Sequence, residues 1–414
     1  MAMVQLKKSI KFIKEGTFAR HFWIWLFATK GLYRLYALFS WADKVNPKKI
    51  VASQFSGSDY ADNPAAFFDY ILKNNLDYEL VWLVDPGRCK RPERIPEKVR
   101  IVKHFTFKAM KELSTAGIWI DNVRKEFFPK KKKNQFYIQT WHGSFALKKI
   151  EKDAYRELTK NYIRLAKRDS KAIDAILSDC AEKTAIYRNS FWYDGEILEI
   201  GTPRTDLFFN EQKMKDERAR VLADLQLEKE TKICLYAPTF RKNKNFDCYN
   251  IDYERLQASL KNRFGGVWKI LARFHPTLKE YTRNAKLPPF VQNVTEYPDM
   301  QALLASSDVV ISDYSGLVFD FYLTKRPVFL FCTDYEEYLN ADRGFYHSIE
   351  ETPFAIAHSN QELESVIVNF KQDEYLEKIA AFDKKFNFCE SGQSCKKLIE
   401  YIERKQQMDA RSNR

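Results

Sequence analysis

Nowhere in this 414-residue chain is there a run of about 20 mainly apolar residues, so no segment reads as a helix that crosses a bilayer. The seven cysteines, Cys89, Cys180, Cys234, Cys248, Cys332, Cys389 and Cys395, lack the paired short spacing of a zinc site. Several sit in apolar, strand-like surroundings, and reduced thiols in a cytosolic protein are the expectation. Internal repeats and low-complexity blocks are absent. No acidic cluster of metal-binding character stands out, so neither a metal nor another cofactor is expected. What is present argues for a folded protein: 45% hydrophobic and 15% aromatic residues can build sizeable cores, and the length suits two ordinary domains. A formal net charge of +13 and a pI near 9.1 imply an anionic partner, whether nucleic acid, a phospholipid surface or a phosphate-rich substrate.

Near the start, Lys7, Lys8, Lys11 and Lys14 precede the aromatic run Phe22-Trp23-Ile24-Trp25-Leu26-Phe27-Ala28. The run is too short to span, and it is too aromatic, with no small-residue site after it, for a signal peptide. Residues 1–40 are therefore expected to form a basic amphipathic segment that lies in an anionic membrane interface. The plainer reading is a helix packed on its own domain.

Beyond it, strand-like and helical patterns alternate. Buried strands are expected at 49–53, 78–84, 99–102, 117–120, 135–139, 173–177, 196–200, 232–236, 267–272, 290–294, 308–311 and 327–331, with helices at 64–73, 107–114 and 211–225 among the connections. That alternation predicts an α/β chain with doubly wound parallel sheets. The turn signal Gly201-Thr202-Pro203-Arg204 divides the series into Rossmann-like domains at 41–203 and 204–396, followed by a helix and frayed tail at 397–414. Two such domains facing across a cleft describe the GT-B architecture.

Three strand ends carry the chemistry. Val309-Val310-Ile311 runs into Ser312-Asp313-Tyr314-Ser315-Gly316, which places Ser315 where a helix is expected to begin and offers hydroxyl and backbone N–H groups to a phosphate. Trp141-His142-Gly143-Ser144 and Arg273-Phe274-His275-Pro276 each present an imidazole. A histidine suits the proton of an attacking hydroxyl, and phosphoryl transfer needs fixed positive or N–H groups around the reacting phosphorus. His142 is the candidate base. His275 and Arg273 are candidates for the donor phosphates, as are Thr239 and Arg241 at a further strand end, Ser312, and Arg343 before Gly344. Asp313 is a candidate for a ribose or histidine contact. Plainer readings stand beside these: a turn histidine at 142, local caps at 239 and 241, a buried turn aspartate at 313. For Lys130 to Lys133 the plainer reading, a solvated loop, is preferred.

Taken together, Tyr137-Ile138-Gln139-Thr140-Trp141-His142-Gly143, Gly201-Thr202-Pro203-Arg204-Thr205-Asp206, Tyr236-Ala237-Pro238-Thr239-Phe240-Arg241, Arg273-Phe274-His275-Pro276, Ser312-Asp313-Tyr314-Ser315 and Arg343-Gly344-Phe345 closely resemble the CDP-glycerol glycerophosphotransferase family of teichoic acid and related capsule polymer synthesis. The resemblance implies a peripheral enzyme on the cytoplasmic face of a bacterial membrane. It would move glycerol phosphate from CDP-glycerol to a lipid-linked polyprenyl-diphosphate saccharide or growing polymer, release CMP, and bind no nucleic acid. It also implies that both histidines are needed and that Ser315 faces the donor phosphates. CDP-ribitol or CMP-sugar transfer in the same architecture stays open. This chain departs from many relatives in two places: Gly316 stands where a second serine is usual, and Ser144-Phe145-Ala146 replaces Thr-Pro-Leu.

Overall fold

A computed structural model describes residues 40–126, 128–241, 247–275, 278, 287–341 and 344–412. The basic aromatic segment, Pro276 and Arg343 lie outside the described residues.

Thirteen strands form two sheets among the described residues. They are β1 (Asn46–Ser53), β2 (Glu79–Val84), β3 (Arg100–Lys103), β4 (Ala116–Asp121), β5 (Phe136–Gln139), β6 (Ala175–Ser178), β7 (Glu196–Glu199), β8 (Lys232–Tyr236), β9 (Trp268–Ala272), β10 (Val291–Asn293), β11 (Val309–Ser312), β12 (Val328–Phe331) and β13 (Ala355–Ala357). The first sheet has the order β3-β2-β1-β4-β5-β6-β7 and the second the order β10-β9-β8-β11-β12-β13. Pairing is parallel from β3 through to β6 and throughout the second sheet. Central strands such as β4, β11 and β12 are buried along their whole length. Helices cover both faces of such a sheet, which is why these strands read as continuous apolar runs rather than alternating ones.

Contact clustering gives two compact units. One holds the described chain up to Trp141, Arg164–Ile176 and the residues from Ile399 on; the other holds His142–Ile163 and Leu177–Leu398. In the first unit, β1 and β4 shift register between Asn46 and Ile50. A side chain at Gly117 would stand 2.6 Å from the Pro47 Cα, so only glycine lets the strands approach there. In the second unit, Asn210, Asp252 and Asp299 cap the helices Glu211–Asp224, Tyr253–Phe264 and Met300–Ser306 by accepting from Lys213, Arg255 and Ala302 amides.

The expected strands are all present, most within a residue or two of their expected bounds; β1 begins three residues before the expected Lys49, and β13 is additional. The last helix, Ser394–Ser412, continues past Gln407, where polar composition predicted fraying. Gln406 ties it down by donating to the Pro47 carbonyl at 2.7 Å. Lysines 131 and 132 are not simply solvated: Lys131 pairs with Asp174 at 2.7 Å, and Lys132 donates to the Ser114 carbonyl at 3.1 Å. None of the seven cysteines is in a disulfide.

Candidate active site

Strand β8 lies between β9 and β11, so parallel pairing brings the carboxyl ends of all three to one edge of the second sheet. Ligands of open α/β sheets bind at such an edge. From β8 come Thr239 and Arg241, from β9 Arg273 and His275, and from β11 Ser312 to Gly316.

Much of this set holds itself together. The Asp313 carboxylate accepts from the Thr239 amide at 2.9 and 3.0 Å and from Arg241 at 2.8 Å. Arg241 also donates to both oxygens of Asp334 at 2.6 and 2.9 Å and to the Thr239 carbonyl at 2.6 Å. Its guanidinium packs over the rings of Tyr314 and Tyr338. Burial opposes a charged guanidinium, but the Asp313 and Asp334 carboxylates outweigh it and raise the Arg241 pKa. Ser312 is fully buried and donates to the Ala237 carbonyl at 2.6 Å. In this geometry Arg241, Asp313 and Ser312 shape the strand ends. The Thr239 hydroxyl is left buried without a hydrogen-bond partner among the described residues.

Ser315 does not open a long helix, since the α-helical turn after it is only Val318–Phe321. Its hydroxyl accepts weakly from the Leu317 amide at 3.5 Å. The Ser315 and Gly316 amides have no partner among the described residues, which leaves two N–H donors at the strand end. A side chain at Gly316 would meet only the Ser144 amide nitrogen, at 4.0 Å, so the position has room for the serine usual in relatives. Arg273 is partly buried, with its amide bonded to the Tyr236 carbonyl at 2.8 Å. The exposed His275 ring lies 5.1 Å from the Phe240 ring, and partial burial lowers its pKa. In its neutral form the imidazole can offer one N–H to a phosphate oxygen but carries no net charge.

The loop after β5 is grouped with this second unit from His142 onward. Just before it, Trp141 adopts a left-handed φ of 53°. The His142 carbonyl accepts from Arg204 at 2.8 Å and the Gly143 carbonyl from Lys183 at 2.7 Å. Arg204 is paired with Asp320 at 3.0 Å, and Ser144 and Gln301 also donate to that carboxylate. Lys183 is paired with Asp179 at 2.9 Å. Phe145 then inserts between the rings of Phe319, Phe382, Phe386 and Phe388. The departure at Ser144-Phe145-Ala146 is thus a core anchor.

Reasoning from sequence assigned no role to Arg204, Asp320, Lys183 or Asp179. Arg204 lies within the Gly201 to Asp206 motif, but its partner Asp320 is 116 residues away and no local pattern links the two. A neighbouring cavity of about 660 Å³ is lined by Asp334, Glu336, Glu337, Glu350 and His358. Its carboxylates disfavour phosphate and suit amine or hydroxyl donors. Among the described residues no acidic, histidine or cysteine group could hold a metal ion.

Residues 35–404 match the family described as CDP-glycerol:poly(glycerophosphate) glycerophosphotransferase. A teichoic acid poly(glycerol phosphate) polymerase of Bacillus spizizenii is 30% identical over 372 residues, 86% of this chain and 92% of that protein. One from Staphylococcus epidermidis is 31% identical over 390 residues, 89% of this chain but 52% of that protein, so this chain spans about half its length. The solved wall teichoic acid polymerase TagF superposes with a TM-score of 0.78 at 28% identity, covering 98% of this chain and 99% of that one.

Proposed function

Since this chain belongs to the CDP-glycerol:poly(glycerophosphate) glycerophosphotransferase family, we propose that it transfers glycerol phosphate from CDP-glycerol to a hydroxyl of a lipid-linked cell-wall or capsule polymer. The acceptor oxygen attacks the phosphorus that carries glycerol, and the bond from that phosphorus to the oxygen of CMP breaks. The acceptor proton passes to His142, and CMP leaves. One observation supports this reading above the others: the His142 loop and the Ser315–Gly316 strand end are joined within one unit through Arg204, Ser144 and Asp320. This supports a base loop that works beside amides suited to phosphate. Arg273, His275 and the Thr239 hydroxyl then face the donor phosphates and the departing CMP, and the acid-lined cavity is suited to the donor's nucleoside. Arg343 is assigned to the diphosphate.

The net charge of +13 favours an anionic membrane, where a lipid-linked acceptor resides. No described helix is long and apolar enough to cross it. The test is CMP release from CDP-glycerol, CDP-ribitol and a CMP-sugar, each with and without a lipid-linked glycerol phosphate primer. Primer-dependent turnover of CDP-glycerol is expected. Faster turnover of either other donor overturns the assignment.

A further inference from the structure

Two successive carbonyls in the His142 loop are each held by a buried cation, and each cation has its own buried carboxylate. Arg204 grips the His142 oxygen at 2.8 Å and Lys183 the Gly143 oxygen at 2.7 Å. The Arg204 and Asp320 side chains are 5% and 2% exposed, and those of Lys183 and Asp179 are 1% and 2%. Burying an ion pair costs desolvation free energy that a turn held only for stability can avoid, because ordinary backbone hydrogen bonds serve there. What these pairs add is direction. A peptide unit is planar and trans, so fixing its oxygen on one side points its N–H to the other. The Gly143 and Ser144 amides, on those same peptide units, have no hydrogen-bond partner among the described residues. The Ser144 nitrogen lies 4.0 Å from where a Gly316 side chain would begin, on the strand end that carries its own unpartnered amides. Since each cation is neutralised locally, the loop gains fixed dipoles with little added net charge.

We propose that Arg204 and Lys183 are positioning residues for transfer. They set the peptide planes of His142 and Gly143, and through them the aim of the His142 imidazole and of the Gly143 and Ser144 N–H groups at the reacting phosphate. This rests on the assignment of His142 as base. The test uses the full chain with CDP-glycerol and a lipid-linked primer, comparing the double variant Lys183→Met/Asp179→Asn, which leaves no orphaned charge, with Arg204→Lys and His142→Ala. Circular dichroism and melting report folding, and CMP affinity reports the donor side. A folded double variant is expected to bind CMP like the parent and to lose about 10²-fold in kcat, the scale of a misplaced reacting group. The fall of kcat/KM towards acid, which a histidine base imposes, should flatten as well. Parental kcat in a folded variant overturns the inference, and so does a lowered kcat with the acid limb intact, which marks a merely structural role. If the double variant does not fold, Arg204→Lys decides by the same readings, because lysine cannot reach Asp320, Ser144 and the His142 carbonyl together. An active His142→Ala sinks the base assignment itself. An inactive His142→Ala beside a normal positioning variant sinks only this proposal.

Discussion

At the scale of single residues, the site is built on one backbone exception. Trp141 holds a φ of 53°, a region that costs a non-glycine residue on the order of 1–3 kcal/mol. The strain persists because the surroundings over-determine it: the Trp141 amide donates to Gln139 at 2.9 Å and its carbonyl accepts from Asn63 at 3.1 Å. The strained residue directly precedes His142. His142→Ala is expected to lower kcat by about 10²–10⁴-fold, the usual contribution of a positioned base, while CMP affinity stays within error of the parent. Near-parental turnover in equilibrium and single-turnover assays removes His142 from that role. The candidacy of His142 was legible, because a histidine beside glycine at a strand end stands out in one short motif. Arg204 was not, since an arginine buried against a carboxylate 116 residues on has no local signature. Arg241 and Asp313 show the converse: the strand-end position was right, but the sequence could not reveal that each is the other's partner at 2.8 Å.

At the scale of elements, long apolar runs bounded by turns were readable because parallel strands are buried on both faces. β13 escaped, since three residues of Ala-Ile-Ala give no period to detect. The segment after Ser315 read as a helix start, and its four-residue turn is as much as local pattern could support. The loop Gly201 to Asp206, which presents Arg204, depends on a contact that sequence did not offer. Glu390 accepts from the Thr202 amide at 3.1 Å and lies 2.6 Å from the Thr205 hydroxyl. That hydroxyl also lies 2.6 Å from the Thr202 carbonyl, and its single proton cannot serve both. A protonated Glu390 resolves the conflict by donating to Thr205. Burial, reinforced by the charge of Asp179, pushes the Glu390 pKa up to about 8 from an ordinary 4.5. The folded state therefore binds the extra proton, and this group's contribution to stability is full below the ordinary value and is lost as pH rises through about 8. Glu390→Gln mimics the protonated acid and does not titrate. Its melting temperature relative to the parent is expected to climb between about pH 5 and about pH 8. A constant difference across that range shows that Glu390 does not carry the proton.

At the scale of the whole molecule, the question is where the net charge of +13 acts. Deep in the second unit, Arg204 pairs with Asp320, Lys183 with Asp179, and Arg241 with both Asp313 and Asp334, so these buried cations are neutralised locally and add nothing to the positive excess. The excess falls on other residues. Within residues 1–39, Lys7, Lys8, Lys11, Lys14, Arg20, Lys30 and Arg34 face only Glu15 in the sequence, alongside the aromatic run Phe22 to Phe27. Each basic residue near an anionic leaflet contributes about 1 kcal/mol, and aromatic rings add apolar burial at the interface. Flotation of the full chain with vesicles rich in phosphatidylglycerol is therefore expected at low salt, with release as ionic strength shortens the screening length. Neutral phosphatidylcholine vesicles should recruit far less. Replacing Lys7, Lys8, Lys11 and Lys14 with glutamate should abolish flotation while leaving CMP release with a water-soluble primer unchanged, because none of these residues is assigned to the site. If the parent ignores anionic vesicles at low salt, electrostatics does not deliver this enzyme to its acceptor, and the basic segment serves the fold of its own domain.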